Sequence, residues 1–292
     1  MNIQKLLFVT KFEELWFDAL QSLLTLKKTG LNHVVFLNVI ERDKVAMRRG
    51  TGYQKEEEIK LREKANIRFI DWAETLFEQG MEVGVYIVVG KFVQQLISSV
   101  EKEVVDLIVI GRQKKGKLEQ FYSGSDIKEI IQRTATPVLV YKYLNPEGAI
   151  PDMPFQRPLL ATDWSPSAQK AVEYLKNMQP IIQQVDVIHV ADEKSLKGDS
   201  AMAVQQTRKE SRKKLDAVCD ILEDAGILAR PHVYIGAVAD EIEKAARECQ
   251  STMIMMGTSG KSSWKERWVG STSQVLAEKS IFPCMFIPSQ EK

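Results

Sequence analysis

The chain has 292 residues, a length that suits two domains of about 145 residues better than one. Lysine and arginine total 40 against 39 aspartate and glutamate, so no global field draws the molecule toward nucleic acid or a membrane surface. A hydrophobic fraction of 44% furnishes a core for each half, and no run approaches the ~20 apolar residues of a bilayer span.

Cys219, Cys249 and Cys284 are odd in number, widely spaced and form no CxxC pair. They read as buried thiols in a reducing compartment, neither a disulfide framework nor a zinc site. The opening MNIQKLLFVTKFEELWF has a four-residue apolar run before charge returns, which is no signal peptide. A cytoplasmic protein with no membrane or nucleic-acid partner is the expectation.

In chain order, the first half alternates strands predicted at 4–10, 33–40, 82–88, 105–110 and 137–142 with helical segments. FEELWFDALQSLLTLKK is amphipathic, and VVFLNVI and VDLIVIG are apolar almost throughout, as parallel strands covered on both faces are. A long helix is predicted over 53–79; its QKEEEIKLREK stretch reads as a solvated face with i,i+4 pairs. YLNPEGAIPDMPFQ then reads as a linker. The second half follows with strands at 158–162, 185–190, 230–235, 252–256 and 283–287. A helix starts after DWSPS, and another long one covers 200–225. Strand and helix alternating five times give a doubly wound α/β fold in each half.

The second half repeats the first. Gly90, Gly111, Gly124 and Pro137 each have a counterpart 146 residues later, at Gly236, Gly257, Gly270 and Pro283. KLLFVTKF and RPLLATDW align at an offset of 152. The boundaries drawn are 1–144 for the first domain, 145–156 for the linker and 157–292 for the second domain.

In GTSGKSSWKERWVGST, residues 257–272, Gly257 ends a strand and Gly270-Ser271-Thr272 opens a helix. Helix N-terminal amides and the helix dipole favour an anion, and Gly260 frees the turn to approach one. The competing reading makes Gly257 a strand terminus and Ser271 or Thr272 a simple N-cap. GxGxxG is absent, and GRQKKGKL at 111–118 ends in Leu118 where a P-loop needs a hydroxyl.

The spacing G-x2-G-x9-G-[ST], with LLATDWS, VIHVAD and SIFPCMFIP, resembles the universal stress protein family across the whole chain in two tandem copies. The resemblance implies five-stranded parallel sheets in order 3-2-1-4-5 and a site for ATP or AMP, with Mg2+ carried by the phosphates. It also implies pairing of the last strands, here within one chain, with a further homodimer left open. Carried over by position, Asp163 contacts the nucleoside, and Ala161, Thr162 and Val190 line the adenine pocket. Met256, Gly257 and Gly260 pass along the ribose and phosphates, and Gly270, Ser271 and Thr272 hold the terminal phosphates. For Asp163 the alternative is an N-cap.

The first half departs from this pattern at Lys11, Lys114 and Asp126, which stand where Asp163, Gly260 and Thr272 stand. A carboxylate at the helix start repels phosphate, so this half reads as a degenerate structural copy. His189 reads as a packed histidine. His33 and His232 show no partners at ligand spacing, so no protein metal site is expected. No acid–base pair is evident, and HxGH and SGGxDS are absent, so no catalytic residue is assigned. The functional expectation is a nucleotide-binding sensor or regulator with an unknown protein partner, slow ATP turnover aside. The alternatives are a scaffold that binds no nucleotide and a nucleotidyl-transferase-like enzyme.

Overall fold

The structure, a computed structural model, describes residues 2–10, 16–45, 54–111, 124–141, 153–198, 200–258 and 270–289. In the first half, β1 (Lys5–Val9), α1 (Trp16–Leu23), β2 (His33–Glu41), α2 (Arg42–Val45) and α3 (Lys55–Glu78) come first. They are followed by β3 (Glu82–Gly90), α4 (Phe92–Glu103), β4 (Leu107–Gly111), α5 (Gly124–Arg133) and β5 (Val138–Tyr141). The second half opens with β6 (Pro158–Ala161), α6 (Pro166–Asn177), β7 (Gln184–Asp192), α7 (Ala201–Asp224) and β8 (Leu228–Gly236). It closes with α8 (Val238–Glu248), β9 (Met253–Gly257), α9 (Ser271–Lys279) and β10 (Cys284–Ile287). The long helices fall where charge patterning puts them, at 55–78 and 201–224.

The strands form one ten-stranded sheet in the order β3-β2-β1-β4-β5-β10-β9-β6-β7-β8. Within each half the order is 3-2-1-4-5 and every pairing is parallel. Only the seam differs: β5 and β10 pair antiparallel, with Cys284 opposite Val140, Met285 opposite Leu139 and Phe286 opposite Val138. Short strands built of Val, Leu, Phe and Ile cannot present backbone groups to a core without a partner, and each supplies the other's. The outer edges fall to β3 and β8, which are half-exposed along their length, and β8 carries Pro231 as an edge strand can.

Because side chains alternate across a strand, each face of the sheet builds its own core. One face packs Phe8, Phe36, Phe69 and Leu76 from the first half with Leu160, Tyr174, Leu215 and Leu222 from the second. The other joins Leu96, Ile108, Ile127 and Val140 with Ile188, Ala245, Leu276 and Phe286. Both cores run through the seam, where a buried hydrogen bond of 2.7 Å ties Tyr141 on β5 to Ser22 on α1. The predicted linker ends sooner than its composition suggests: Phe155 is 1% exposed and belongs to the first of these cores. The pseudo-twofold repeat extends to backbone strain, since Val104 and Gln250, 146 residues apart, both turn left-handed after α4 and α8 (φ 51° and 52°).

If the seam is the main connection between the halves, a charge within it destabilises both. Leu139→Asp, buried opposite Met285, is expected to lower unfolding stability by about 3 kcal/mol or more in urea titration. The same substitution at exposed Leu228 on the β8 edge is expected to cost less than about 0.5 kcal/mol.

Candidate functional site

The carboxyl end of the second half is assembled by β6, β7 and β9. Ala161, the last residue of β6, lies in register between Ile188 on β7 and Met256 on β9. Ala161, Val190 and Met256 belong to one apolar cluster and are 8%, 8% and 9% exposed, at the boundary between core and surface. Thr162 continues the strand ladder, its N–H donating to the Ile188 carbonyl at 3.0 Å or less (2.9 Å).

The segment after β6 is tightly folded. The Thr162 hydroxyl accepts from the Trp164 N–H at 3.1 Å, and Asp163 Oδ1 accepts from the Ser165 N–H at 3.0 Å. Ser165, not Asp163, caps α6: its Oγ accepts from the Ala168 N–H, and Pro166 occupies the first helical turn. Trp164 itself is left-handed, at φ 62°, a conformation a bulky side chain enters at a cost of about 1–3 kcal/mol. Its ring packs on His189 with centroids 3.9 Å apart, and the Lys214 ammonium lies 4.7 Å above its face. His189 Nδ1 is 2.8 Å from the Thr162 carbonyl. Sequence reasoning found His189 as a packed residue but missed Trp164 and Lys214 as its neighbours. The one available signal was a tryptophan set between a strand-end aspartate and a helix cap.

The two described glycines of the motif have different reasons. At Gly257 an added Cβ would lie 2.2 Å from Ser167 Oγ and 2.8 Å from the Ala168 backbone nitrogen, so the strand end and the start of α6 touch backbone to backbone. At Gly270 the backbone is ordinary, φ −58° and ψ 147°, and a Cβ would meet nothing nearer than the Thr258 carbonyl at 3.7 Å. Folding needs a glycine at the first position and not at the second. Gly260 lies outside the described residues.

Hydrogen bonds join the two flanks of residues 259–269. The Gly270 N–H donates to the Thr258 carbonyl at 3.0 Å, while Thr258 N–H donates to Ile287 on the neighbouring strand at 2.9 Å. Ser273 Oγ bonds the Gly257 carbonyl at 3.4 Å. The ladder of α9 begins with Gln274 N–H to the Gly270 carbonyl, so the amides of Ser271, Thr272 and Ser273 lie ahead of it. Among the described residues no side chain caps this end. Ser271 is exposed and Thr272 half-buried. In the first half, α5 starts one position earlier, at Gly124, and Asp126 stands in its first turn. Lys11 and Lys114 lie outside the described residues.

One sequence expectation is corrected. His232 is not without a partner: Nε2 lies 2.9 Å from Asp186 Oδ1, and Cys249 joins them in a cluster whose ligand atoms lie within 4.8 Å of one another. Parallel strands β7 and β8 and the end of α8 bring together residues too far apart in sequence for spacing to show. His33 likewise has Glu82 at 3.3 Å.

Comparison with known proteins agrees with the repeat. The model of the universal stress protein family matches residues 2–142 and again 154–288. The chain is 28% identical over 153 residues to universal stress protein MJ0577 of Methanocaldococcus jannaschii, covering 46% of this chain and 94% of that one. A universal stress protein structure from Archaeoglobus fulgidus superposes with a TM-score of 0.72 at 22% identity, covering 99% of this chain and all of that one. A putative universal stress protein of Pseudomonas aeruginosa gives 0.65 at 15% identity, over 98% and 93% of the two chains. These two likenesses speak for the fold.

The glycine asymmetry is measurable without any ligand. Gly257→Ala is expected to lose about 1–3 kcal/mol of stability through the Ser167 and Ala168 contacts. Gly270→Ala is expected to leave it unchanged or raise it by up to about 1 kcal/mol, both read by chemical denaturation.

Proposed function

The chain belongs to the universal stress protein family, and from that premise we propose that its second half binds one adenine nucleotide and acts as a sensor or regulator. The observation that carries this reading is Gly270. Its backbone suits any residue and the protein leaves room for a Cβ, yet it stands at the mouth of a helix whose first amides precede the ladder. A glycine that folding does not require is explained by a phosphate that approaches the backbone there.

In this reading ATP or AMP lies across the carboxyl ends of β6, β7 and β9. Ala161, Thr162 and Val190 border the base, Asp163 bonds the nucleoside, and Met256 passes along the ribose. Gly257 and Gly260 flank the phosphate path, and Gly270, Ser271 and Thr272 receive the terminal phosphates, with Mg2+ brought by the nucleotide. The positive end of α9 and the hydroxyls of Ser271 and Thr272 supply the anion with donors. No residue pair is assigned acid–base work, so ligand occupancy rather than turnover is the proposed signal, relayed in the cytoplasm to a protein partner. The Asp126 carboxylate in the first turn of α5 makes the equivalent end of the first half unfavourable for phosphate.

Calorimetric titration with ATP is expected to give one site per chain. Gly270→Val is expected to weaken ATP by several kcal/mol, about 1.5–3 for each charge-assisted hydrogen bond lost, while Gly124→Val leaves the affinity nearly unchanged. Asp163→Ala is expected to weaken ATP and adenosine alike. A wild-type chain that takes up no nucleotide, or a folded Gly270→Val variant with wild-type affinity, overturns the reading in favour of a scaffold.

A further inference from the structure

At the other end of the second half, three residues with different donor atoms converge. Asp186 sits early on β7, His232 lies on the adjacent β8, and Cys249 follows the last turn of α8. Asp186 is 3% exposed, and its two oxygens are engaged separately: Oδ1 by His232 Nε2 at 2.9 Å, Oδ2 by Gln184 Nε2 at 3.0 Å. The His232 side chain is 35% exposed and Cys249 half-buried, so the cluster opens to solvent on one side.

We propose that Asp186, His232 and Cys249 form a binding site for a borderline divalent transition-metal ion, Zn2+ above all, separate from the nucleotide end.

The donor set is the first argument. One thiolate, one imidazole and one carboxylate are the three ligand types zinc takes, and a mixed S/N/O set selects against Mg2+ and Ca2+. Ligands at 2.0–2.3 Å from a tetrahedral ion stand roughly 3.3–3.8 Å apart. All three donor atoms here already lie within 4.8 Å of one another, and binding asks the His232–Asp186 pair, at 2.9 Å, to part slightly. The exposed flank of His232 gives the cluster access to solvent.

The surroundings are the second. Gln184 holds the far oxygen of Asp186 and so fixes the carboxylate's orientation, the part an outer shell plays at a metal site. Cys249 follows α8, and the Arg157 guanidinium occupies the cation position at that helix end. The Cys249 carbonyl accepts from Arg157 Nη2 at 2.8 Å, and Arg157 Nη1 reaches Gln250 Oε1 at 3.3 Å, which anchors the left-handed turn that aims Cys249. Without metal, burial and the neighbouring Asp186 carboxylate push the Cys249 thiol up to about 11. Burial works to raise the Asp186 carboxyl, but hydrogen bonds from His232 and Gln184 outweigh it and hold it below its ordinary value. An ion bound through sulfur takes the place of the Cys249 thiol proton, which passes to solvent.

The duplication is the third. The equivalent positions of the first half, by strand and helix correspondence, are Val35, Tyr86 and Glu103, where Tyr86 simply hydrogen-bonds Glu103. Glu103 also pairs with Lys5 at 3.4 Å and lies near His33, so the first half places a carboxylate between cationic groups with no thiol and no buried aspartate. The second half has replaced an ordinary contact with three metal-ligand residues at once.

The test uses the full chain, stripped with a chelator, and two ions. Co2+ is expected to bind one equivalent with a thiolate charge-transfer band and the intense visible bands of a tetrahedral centre. Zn2+ is expected to displace it. Cys249→Ser should abolish the charge-transfer band and weaken Zn2+ roughly 100-fold, and the near-isosteric His232→Gln should weaken it comparably. Cys219→Ser, buried on α7 away from the cluster, should match the wild type. Circular dichroism of the metal-free variants checks that they are folded. A wild-type chain that takes up no cobalt, or either ligand variant matching the wild type, overturns the site.

Discussion

Everything in this molecule hangs on three pairs of residues at the meeting of β5 and β10. Two parallel five-stranded sheets, each with a short apolar edge, are individually exposed to association. Antiparallel pairing of those edges converts two such sheets into one and lets each hydrophobic layer run without a break from the first half to the second. Tethering raises the local concentration of the two edges, and the strand ladder together with the buried side chains holds them.

Much of the fold was legible because the hydrophobic pattern is unambiguous. Runs such as VDLIVIG have no period to confuse and too few residues for a helix, so every strand was found within a few positions. The register of the repeat followed from glycine and proline positions and the matching first strands, and the pairing of the last strands from the family resemblance. Less legible were features made by side chains that meet from distant segments. Trp164, His189 and Lys214 come from a turn, a strand and a helix, and no local pattern joins them. Asp186, His232 and Cys249 meet only because adjacent parallel strands place positions 46 residues apart side by side. Phe155 looked like part of a linker because its neighbours are proline, glycine and polar residues, yet its ring completes a core.

The glycines show why a motif and its reason must be separated. Identical letters at Gly257 and Gly270 report different constraints, one a backbone contact with α6, the other a space that the protein itself does not fill. The first would persist in a copy that had lost its ligand, since helix and strand must still pack. In the degenerate half both glycines remain, Gly111 at the end of β4 and Gly124 at the start of α5, and the change that disfavours an anion is Asp126 where Thr272 stands.

The antiparallel seam and the divergence of the two halves together give the molecule two unlike rims. Strands of the first half run one way along the sheet and those of the second half the other. The carboxyl rim of one half is therefore continuous with the amino rim of its sibling. Gly257 and Gly270 border one long margin of the ten-stranded slab, while the Asp186–His232–Cys249 cluster shares the opposite margin with the carboxyl ends of β1 and β4. A duplicated protein with equal halves would look the same from either margin. This one does not, and a macromolecule approaching it can tell which way round it lies.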